Sequence, residues 1–381
     1  MYNELEGDYM TYLDYSATTP VNKSVLESFN KTCLEYIGNP NSLHKLGVKS
    51  KELEESATKQ IATLLNVKEN EIIYTSGSSE SNNLAIKGIC ERYERIGKHI
   101  ITTNLEHSSI YGPIGYLQKK GYEIDFVKTN NGLVDLDDLK QKIRKDTVLV
   151  TIASVNSEVG IRQNIEEIGK LLKDYPCYFH VDATQSIGKV NIDFKNVDLV
   201  SFSAHKIFGL KGIGCLIKKE KIDLLPLIHG GKSTTVYRSG TPALPLIVSL
   251  AKALRLALED LDEKIKYIND LNHYLKENIQ NIENVIINSN QYSIPQILNI
   301  SVLNIKPETM LHALEEDDIY ISTQSACSSN NAVSKAVLEV TKCEECAKHS
   351  IRISISYVTT KEEIDYFITC FKKQIERLSF K

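Results

Sequence analysis

The sequence has 381 residues, of which 42% are hydrophobic and 25% are charged, and its formal net charge is −4. These proportions are those of a soluble globular protein and exclude a disordered, collagen-like or coiled-coil chain. The slightly negative charge and the dispersed lysines and arginines give no basic surface for nucleic acid, so a small molecule or a protein is the expected partner.

No stretch of the sequence is suited to a membrane. Residues 1–12 are mixed and acidic without an apolar core, unlike a signal peptide or an anchor, and no apolar run reaches the roughly 18 residues of a membrane helix. The eight cysteines are scattered rather than arranged as a disulfide scaffold, which is typical of a reducing compartment. We therefore expect a cytoplasmic protein in which most cysteines are free thiols.

Strand and helix patterns alternate along the first two thirds of the chain. Short apolar runs predict strands at residues 71–75, 99–103, 123–127, 147–154, 177–181, 199–203 and 214–217, and helical patterns lie at 81–95, 111–119, 136–145 and 165–172. Such alternation predicts a mainly parallel sheet covered on both faces, and ligands of these sheets bind at the carboxyl ends of the strands.

The pattern changes after Pro245. A long helical pattern over residues 246–282 precedes strands at 296–302 and 350–356 and a helix at 361–378. This change predicts a large domain of residues 16–255 and a small α+β domain formed by 1–15 and 256–381.

The segment from Ser76 to Asn83 leads from a predicted strand into a helix. It contains Gly77 followed by the hydroxyl residues Ser78 and Ser79. Small hydroxyl residues and free backbone amides at a helix start can bind an anion. Taken alone, the segment is also typical of an ordinary helix cap.

Two ionisable residues follow the next predicted strands. Asp182 comes directly after the strand at 177–181, where a carboxylate can stabilise a buried cation or cap a helix. Lys206 closes the segment Ser-Ala-His-Lys after the strand at 199–203. A lysine at the end of a buried strand is costly unless it is paired, neutralised or covalently used, although most lysines are surface residues.

Taken in this order, the motifs resemble the cofactor site of fold-type I pyridoxal-phosphate enzymes, specifically the cysteine desulfurases. The matching segments are Ser-Gly-Ser-Ser-Glu-Ser-Asn-Asn at 76–83, Asp-Ala-Thr-Gln at 182–185 and Ser-Ala-His-Lys at 203–206, with further matches at 14–20, 38–44 and 350–352. The resemblance implies a fold-type I α/β architecture and pyridoxal 5'-phosphate as cofactor.

The resemblance also implies the roles of individual residues. Lys206 matches the lysine that holds the cofactor as a Schiff base, Asp182 the partner of the pyridine nitrogen, and His107 the histidine that stacks on the ring and moves protons. Arg352 matches the arginine that binds the substrate carboxylate. The remaining matches to cofactor-binding positions are Ser78, Ser79, Asn156, Gln185, Ser203, His205 and Thr241, and Asn156 also matches a substrate contact.

Cys327 lies in the polar segment Ser-Ala-Cys-Ser at 325–328, between a strand pattern and a helix pattern. An exposed thiol in such a loop can ionise and attack sulfur, and by resemblance Cys327 takes the sulfur from the substrate. The chain departs from the family pattern at Gln324, where glycine is usual, and at Val333-Ser334, where Pro-Ser is usual. Ser79 stands where the family usually has threonine, which keeps the hydroxyl group.

Two features concern partners and metals. The segment Arg-Ser-Gly-Thr at 238–241 is retained, although the Gln-Glu pair that usually follows Gly230-Gly231 is missing. In the family Thr241 matches a residue that reaches the cofactor phosphate of the neighbouring subunit, which implies a homodimer. Cys343 and Cys346 form a single Cys-x-x-Cys with only His349 nearby, whereas a tetrahedral zinc site needs four ligands, so no metal is expected.

The implied activity is removal of sulfur from L-cysteine, leaving L-alanine and a persulfide on Cys327. The alternatives on the same fold are a selenocysteine lyase and an aminotransferase, and an aminotransferase has no need of Cys327. An inactive sulfur-carrier scaffold is a further alternative, but the intact Lys206, Asp182 and His107 argue against it. The sequence leaves the sulfur acceptor open between a cluster scaffold, a tRNA-modifying enzyme and another carrier.

Overall fold

The computed structural model describes residues 10–323 and 333–379, which form fourteen strands and twelve α-helices. The strands are β1 (Thr11–Tyr12), β2 (Ile72–Thr75), β3 (His99–Thr102), β4 (Glu123–Phe126), β5 (Thr129–Asn130), β6 (Leu133–Val134), β7 (Thr147–Ala153), β8 (Tyr178–Asp182), β9 (Leu199–Ser203), β10 (Gly214–Lys218), β11 (Val285–Ile287), β12 (Ile297–Val302), β13 (Ile319–Tyr320) and β14 (Ser350–Ser354). The helices are α1 (Lys23–Glu35), α2 (Lys45–Leu65), α3 (Ser78–Arg92), α4 (Ser108–Gln118), α5 (Leu136–Lys142), α6 (Ile165–Leu172), α7 (Leu244–Leu258), α8 (Leu261–Ile279), α9 (Pro307–Glu315), α10 (Lys335–Thr341), α11 (Glu344–Lys348) and α12 (Lys361–Ser379).

A seven-stranded sheet in the order β2-β10-β9-β8-β7-β3-β4 forms the centre of the larger part. Strands β4, β3, β7, β8 and β9 pair in parallel, and β10 runs antiparallel to both β9 and β2. Strands β7, β8 and β9 are buried along almost their whole length because helices cover both faces of the sheet. The expected α/β fold with a mainly parallel sheet is confirmed.

Two apolar clusters fill the two faces of this sheet, and a third lies apart from them. The third surrounds the antiparallel sheet β11-β12-β14 and contains residues of α8, α9 and α12 together with Leu13. Its members therefore come from residue 13 and from residues 268–371, whereas the two sheet-face clusters draw on residues 25–257. This division of the core supports the proposed domain boundary near residue 255.

The seven predicted strands are present within one residue at each end, but the single helix expected over residues 246–282 is wrong. The chain forms α7 and α8 instead, separated at Glu259 and Asp260. Glu259 is extended and Asp260 adopts a left-handed conformation with φ 51°. Lys264 donates from Nζ to the carbonyls of Leu256 and Glu259, which satisfies backbone acceptors at the end of α7. None of the helices in the described part of the chain is long and apolar enough to cross a membrane.

His180 on β8 is completely buried in the middle of the parallel strands. Its Nδ1 lies 2.8 Å from Thr151 Oγ1 on β7 and its Nε2 lies 2.9 Å from Ser201 Oγ on β9. The ring therefore joins three strands through hydroxyl groups. Burial lowers the pKa of His180 to about 4, so the imidazole is neutral at pH 7.

We predict that this histidine makes the fold sensitive to acid. Below pH 6.5 His180 binds a proton in the unfolded chain, whereas in the folded protein its imidazole stays neutral. The free energy of unfolding therefore decreases as the pH is lowered from 6.5 to about 4. One such proton changes the free energy of unfolding by about 1.4 kcal/mol per pH unit. Urea unfolding at several pH values should show that the difference in stability between the wild type and His180→Gln narrows on acidification. A difference independent of pH would contradict this assignment.

Candidate active site

A cavity of about 210 Å³ opens where β7, β8 and β9 end and α3 begins. This is the edge at which the parallel sheet was expected to bind a ligand. Eight of the residues singled out in the sequence line it, namely Ser78, Ser79, His107, Asp182, Gln185, His205, Lys206 and Arg352. The fold therefore gathers side chains from segments as distant as residues 78 and 352 around one space.

One end of the cavity is formed by the start of α3. The helix begins without a side-chain cap, so the amides of its first turn are left to other acceptors. Ser203 lies against Gly77, where an added Cβ would come within 3.6 Å of its Oγ. A Cβ on Gly214 would lie 2.6 Å from the Cα of Gly77, so β10 can approach this turn only through a glycine. Together the free amides and serine hydroxyls are suited to holding an anion.

The Asp182 carboxylate lies at the end of β8 and is 6% exposed. Its Oδ1 accepts hydrogen bonds from the amide of Thr184 at 3.0 Å and from the Thr184 hydroxyl at 2.5 Å. Its Oδ2 accepts one from Asn82 Nδ2 at 2.8 Å. These donors fix both oxygens of the carboxylate and keep it facing the cavity.

Asn82 connects Asp182 to His107. The same Nδ2 that reaches Asp182 also donates to Ser109 Oγ at 2.8 Å, and Ser109 Oγ lies 2.8 Å from His107 Nδ1. The backbone amide of Ser109 donates to His107 Nδ1 as well. Since Nδ1 accepts this bond, the neutral ring carries its proton on Nε2. Burial, opposed in part by the charge of Asp182, lowers the pKa of His107 and keeps the ring neutral near pH 7.

Lys206 extends toward the first residues of the described chain. Its Nζ donates to the carbonyls of Ser16 at 2.7 Å and Ala17 at 2.6 Å. Gln185 Nε2 donates to the same Ser16 carbonyl at 2.9 Å, so two site side chains share this acceptor. His205 precedes Lys206, and burial together with the charges of Lys206 and neighbouring lysines lowers the pKa of His205 to about 4. This neighbour is therefore an uncharged imidazole.

Arg352 on β14 brings a cationic group to the opposite side of the cavity. The side chain is 1% exposed, and its two terminal nitrogens bond to the Ser157 carbonyl at 2.9 Å and to Asp14 Oδ1 at 2.7 Å. Its Nε has no hydrogen-bond partner among the described residues. A buried guanidinium with one unpaired N–H donor is suited to binding a carboxylate.

Three of the predicted residues do not line this cavity. Asn156 uses its Oδ1 to accept from the amides of Glu158 and Val159 and its Nδ2 to bond to the Leu105 carbonyl, so it shapes the adjoining loop. Ser203 lies behind Gly77. Thr241 is exposed and lies in a separate surface pocket. Cys327 lies outside the described residues.

Three residues near the site had no role in the sequence interpretation. Asn82 and Asp14 lie within segments that matched the family, but nothing in the pattern separates a bridging side chain from its neighbours. Glu106 is 9% exposed and accepts from Thr103 Oγ1 and the Ala153 amide, which joins the loop before His107 to β7. Burial, with a smaller effect of the Asp182 charge, raises the pKa of Glu106 to about 8.

Comparison with known proteins assigns this architecture to a class. Residues 11–367 match the model of the class-V aminotransferase family. The chain is 39% identical to a cysteine desulfurase IscS of Dictyoglomus turgidum over 96% of its own length and 95% of that protein. It covers the whole of a solved structure titled NifS-like protein with 35% identity and a TM-score of 0.91. A structure titled SspA in complex with cysteine matches with 32% identity and a TM-score of 0.80, covering 92% of this chain and 100% of the other. The chain therefore belongs to the cysteine desulfurase family within class V.

This family implies pyridoxal phosphate, and the residues present fit that group. The uncapped start of α3 with its two serines is suited to a phosphate. The Asp182 carboxylate, held by three donors, is suited to a protonated ring nitrogen, and the Lys206 amine lines the same cavity. The start of α3 thus matches the phosphate of the cofactor, Asp182 matches its cationic ring, and Lys206 matches its carbonyl carbon.

We predict that Asn82→Leu weakens cofactor binding by at least about tenfold, because it leaves the buried Asp182 carboxylate short of a donor. Absorbance titration of the apoprotein with pyridoxal phosphate measures this affinity. Asn83→Leu is the matched control, since Asn83 makes only a local bond to the Ser79 carbonyl on the outer side of α3. Equal affinity of the Asn82 variant and the wild type would show that the bridge does not support the carboxylate.

Proposed function

We propose that this protein is a pyridoxal-phosphate-dependent cysteine desulfurase that removes sulfur from L-cysteine and leaves L-alanine and a persulfide on Cys327. The observation that carries the proposal is the single cavity shared by Lys206, Asp182, His107 and Arg352. The proposal is also supported by relatives that are named cysteine desulfurase and that match nearly the full length of this chain.

The cofactor would be held by groups from several strand ends. Lys206 would bind it covalently, Asp182 would pair with its ring nitrogen, and Gln185 and Asn156 would lie near its ring hydroxyl. The phosphate would be bound by Ser78, Ser79, Ser203 and His205, with Thr241 added from a second subunit. When bound, pyridoxal phosphate supplies an electron sink that stabilises negative charge at the α-carbon of an amino acid.

His107 and Lys206 are the proton carriers of this proposal. The neutral His107 ring has its Nδ1 occupied by Ser109, so proton exchange with the substrate takes place at Nε2. Asn82 and Ser109 keep the ring in this orientation. Lys206 has an amine at the cavity wall and can accept or deliver a proton when it is not covalently engaged.

Arg352 would orient the substrate through its carboxylate. The pairing with Asp14 fixes the guanidinium plane, and the buried Nε donor lacks a partner among the described residues. A substrate carboxylate would give this donor a partner and would add a second anionic contact to the guanidinium besides Asp14. We expect the amino acid to be bound with its side chain directed away from β14.

Cys327 is the proposed nucleophile. Its thiolate attacks the sulfur of the substrate, a sulfur–sulfur bond forms, and the carbon–sulfur bond of the substrate breaks. The sulfur remains on Cys327 as a persulfide, and the three-carbon product takes up a proton and leaves as alanine. The persulfide sulfur then passes to an acceptor protein of iron–sulfur cluster assembly or tRNA thiolation.

Selenocysteine lyase and aminotransferase activities on the same fold, and an inactive carrier, are the alternatives. Assays of sulfide, selenide and alanine release from cysteine and selenocysteine separate them, because an aminotransferase would form a keto acid and an inactive carrier would form none of these products.

We predict that Cys327→Ala binds pyridoxal phosphate normally but loses sulfide release by several powers of ten. The cofactor contacts lie in other segments, and only the attack on sulfur requires the thiol. Lys206→Ala should instead lose covalent attachment, measured by borohydride reduction and peptide mapping. Cys33→Ala, which removes an exposed free thiol, is the control and should retain activity. Substantial sulfide and alanine production by the Cys327 variant, together with its loss in the Lys206 variant, would refute the desulfurase proposal.

We also propose a cytoplasmic homodimer. Four cysteines of the described chain, Cys90, Cys177, Cys215 and Cys370, are buried free thiols, which suits a reducing compartment. Leu34, Ile37 and Leu43 expose 80%, 76% and 98% of their surface, which suits contact with a second copy. Thr241 lines a pocket other than the cofactor cavity of its own chain, and Arg238 in the same segment pairs with Glu80 of α3.

We predict that each site is completed by Thr241 of the other subunit. Thr241→Ala and Lys206→Ala should each be impaired at limiting pyridoxal phosphate, and mixing them under conditions of subunit exchange should restore activity. In a mixed dimer one site has both native residues only if Thr241 acts across the interface. If mixed dimers form but their activity is not restored, Thr241 contributes to the site of its own chain or to neither site, and the prediction is wrong.

A further inference from the structure

Cys343 and Cys346 form a disulfide at the junction of α10 and α11. The two residues are three positions apart, with Cα atoms 5.3 Å from each other. Cys343 is half-buried, and Cys346 is 4% exposed. The described residues contain no group of three His, Cys, Asp or Glu side chains that could hold a metal ion. The pair is therefore best understood through thiol chemistry.

This disulfide closes a very short loop. A disulfide stabilises a fold chiefly by restricting the unfolded chain, and the effect grows with the length of the loop. With only Glu344 and Glu345 between the cysteines, folding adds little to hold the pair oxidised. Its state should therefore follow the thiol–disulfide balance of its surroundings.

The Cys346 amide donates to Cys343 Sγ at 3.1 Å, but several other bonds that hold the backbone around the pair do not use sulfur. The Ala347 amide donates to the Cys343 carbonyl at 3.1 Å, and Ser301 Oγ donates to the Cys346 carbonyl at 2.7 Å. The Ser334 amide donates to the Ala347 carbonyl at 3.0 Å, which ties the start of α10 to α11. These bonds can persist in the reduced protein, so the two thiols remain close enough to join again.

The other cysteines of the described chain are unsuited to such exchange. Burial raises the pKa of Cys177 and of Cys215 to about 12, and it raises the pKa of Cys90 and Cys370 as well. These thiols stay protonated near pH 7 and are poor nucleophiles. Cys33 is exposed and could form a mixed disulfide, but it is bonded to no second cysteine in the described chain and so forms no dithiol pair.

We propose that Cys343 and Cys346 form a reversible dithiol–disulfide site that exchanges with low-molecular-weight thiols and disulfides and that, when oxidised, closes the first turn of α11. On reduction, an external thiolate attacks Cys343 Sγ, the bond between the two cysteines breaks, and Cys346 leaves as a thiolate that takes up a proton. A second external thiol then attacks the mixed disulfide and releases Cys343 and an oxidised external disulfide. Oxidation is the reverse sequence, with the external disulfide as oxidant.

The helix that contains this pair, α11, and the preceding helix, α10, contact the site loops. Val337 and Val340 of α10, with Ala347 of α11, pack in one cluster with Leu105, which lines the cofactor cavity, and with Val159. Ser334 Oγ also donates to Glu158 at 2.8 Å. The redox state of the pair therefore acts on the helices that support the loops preceding His107 and following Asn156.

The test is equilibration of the holoenzyme in glutathione buffers of different ratios, followed by alkylation and digestion. Trypsin cuts after Lys342 and Lys348, so the peptide 343–348 contains this pair and no other cysteine. We expect it to change reversibly from doubly alkylated to disulfide-bonded as the oxidised fraction of glutathione rises. A peptide that stays doubly alkylated in oxidised glutathione, or stays disulfide-bonded in excess dithiothreitol, would overturn the proposal.

Single variants test the order of attack. Cys346→Ser leaves the half-buried Cys343 alone, and it should accumulate a mixed disulfide with glutathione. Cys343→Ser leaves the buried Cys346, which should remain largely unmodified under the same conditions. The reverse result would contradict attack at Cys343.

Amide hydrogen exchange tests the structural part. Residues 335–348 should exchange faster in the reduced wild type than in the oxidised protein, and the double variant Cys343→Ser/Cys346→Ser should exchange at one rate whatever the glutathione ratio. Equal exchange of the two wild-type states would show that the disulfide does not stabilise the first turn of α11 or its packing on α10.

Discussion

The buried Asp182 carboxylate is the constraint around which the site is arranged. An anion removed from water is costly unless donors surround it. Here the donors come from the next turn of the chain, through Thr184, and from α3, through Asn82. Because Asn82 lies on the first turns of α3, the same contact fixes the start of that helix beside the carboxylate. This contact fixes the distance between Asp182, the proposed partner of the ring nitrogen, and the start of α3, the proposed phosphate site.

A second consequence concerns charge. Burial lowers the pKa of His107, and it lowers the pKa of His205 to about 4. Burial, with the charges of Lys206 and Arg352, also lowers the pKa of Lys189 well below its usual range. The protonated, cationic forms of His107, His205 and Lys189 are therefore disfavoured around Asp182. A cationic ring bound against the carboxylate would meet less repulsion than the number of basic side chains suggests, and the neutral His107 ring keeps its Nε2 proton available for transfer.

The sequence was sufficient to predict the sheet and most of the residues at its carboxyl edge, for physical reasons. Strands buried on both faces are continuous apolar runs, so β7, β8 and β9 could be recognised directly. The break between α7 and α8 could not be predicted, because Asp260 adopts a left-handed conformation and no glycine or proline at the break indicates it. Asn82 and Asp14 were missed for a related reason. Their roles depend on which side chain faces Asp182 or Arg352 across the fold, and local pattern does not contain that information.

The position of Arg352 also bears on how Cys327 can act. Ser322 pairs with Arg352 through backbone bonds in both directions, and Ser334 is tied to Glu158 and to Ala347. Cys327 lies outside the described residues, five positions after Ser322 in the sequence. The segment that leads to the proposed nucleophile therefore starts beside the strand that carries the proposed carboxylate-binding group. Under the proposed function, substrate binding and sulfur delivery would thus share one anchoring point, at the pairing of Ser322 with Arg352.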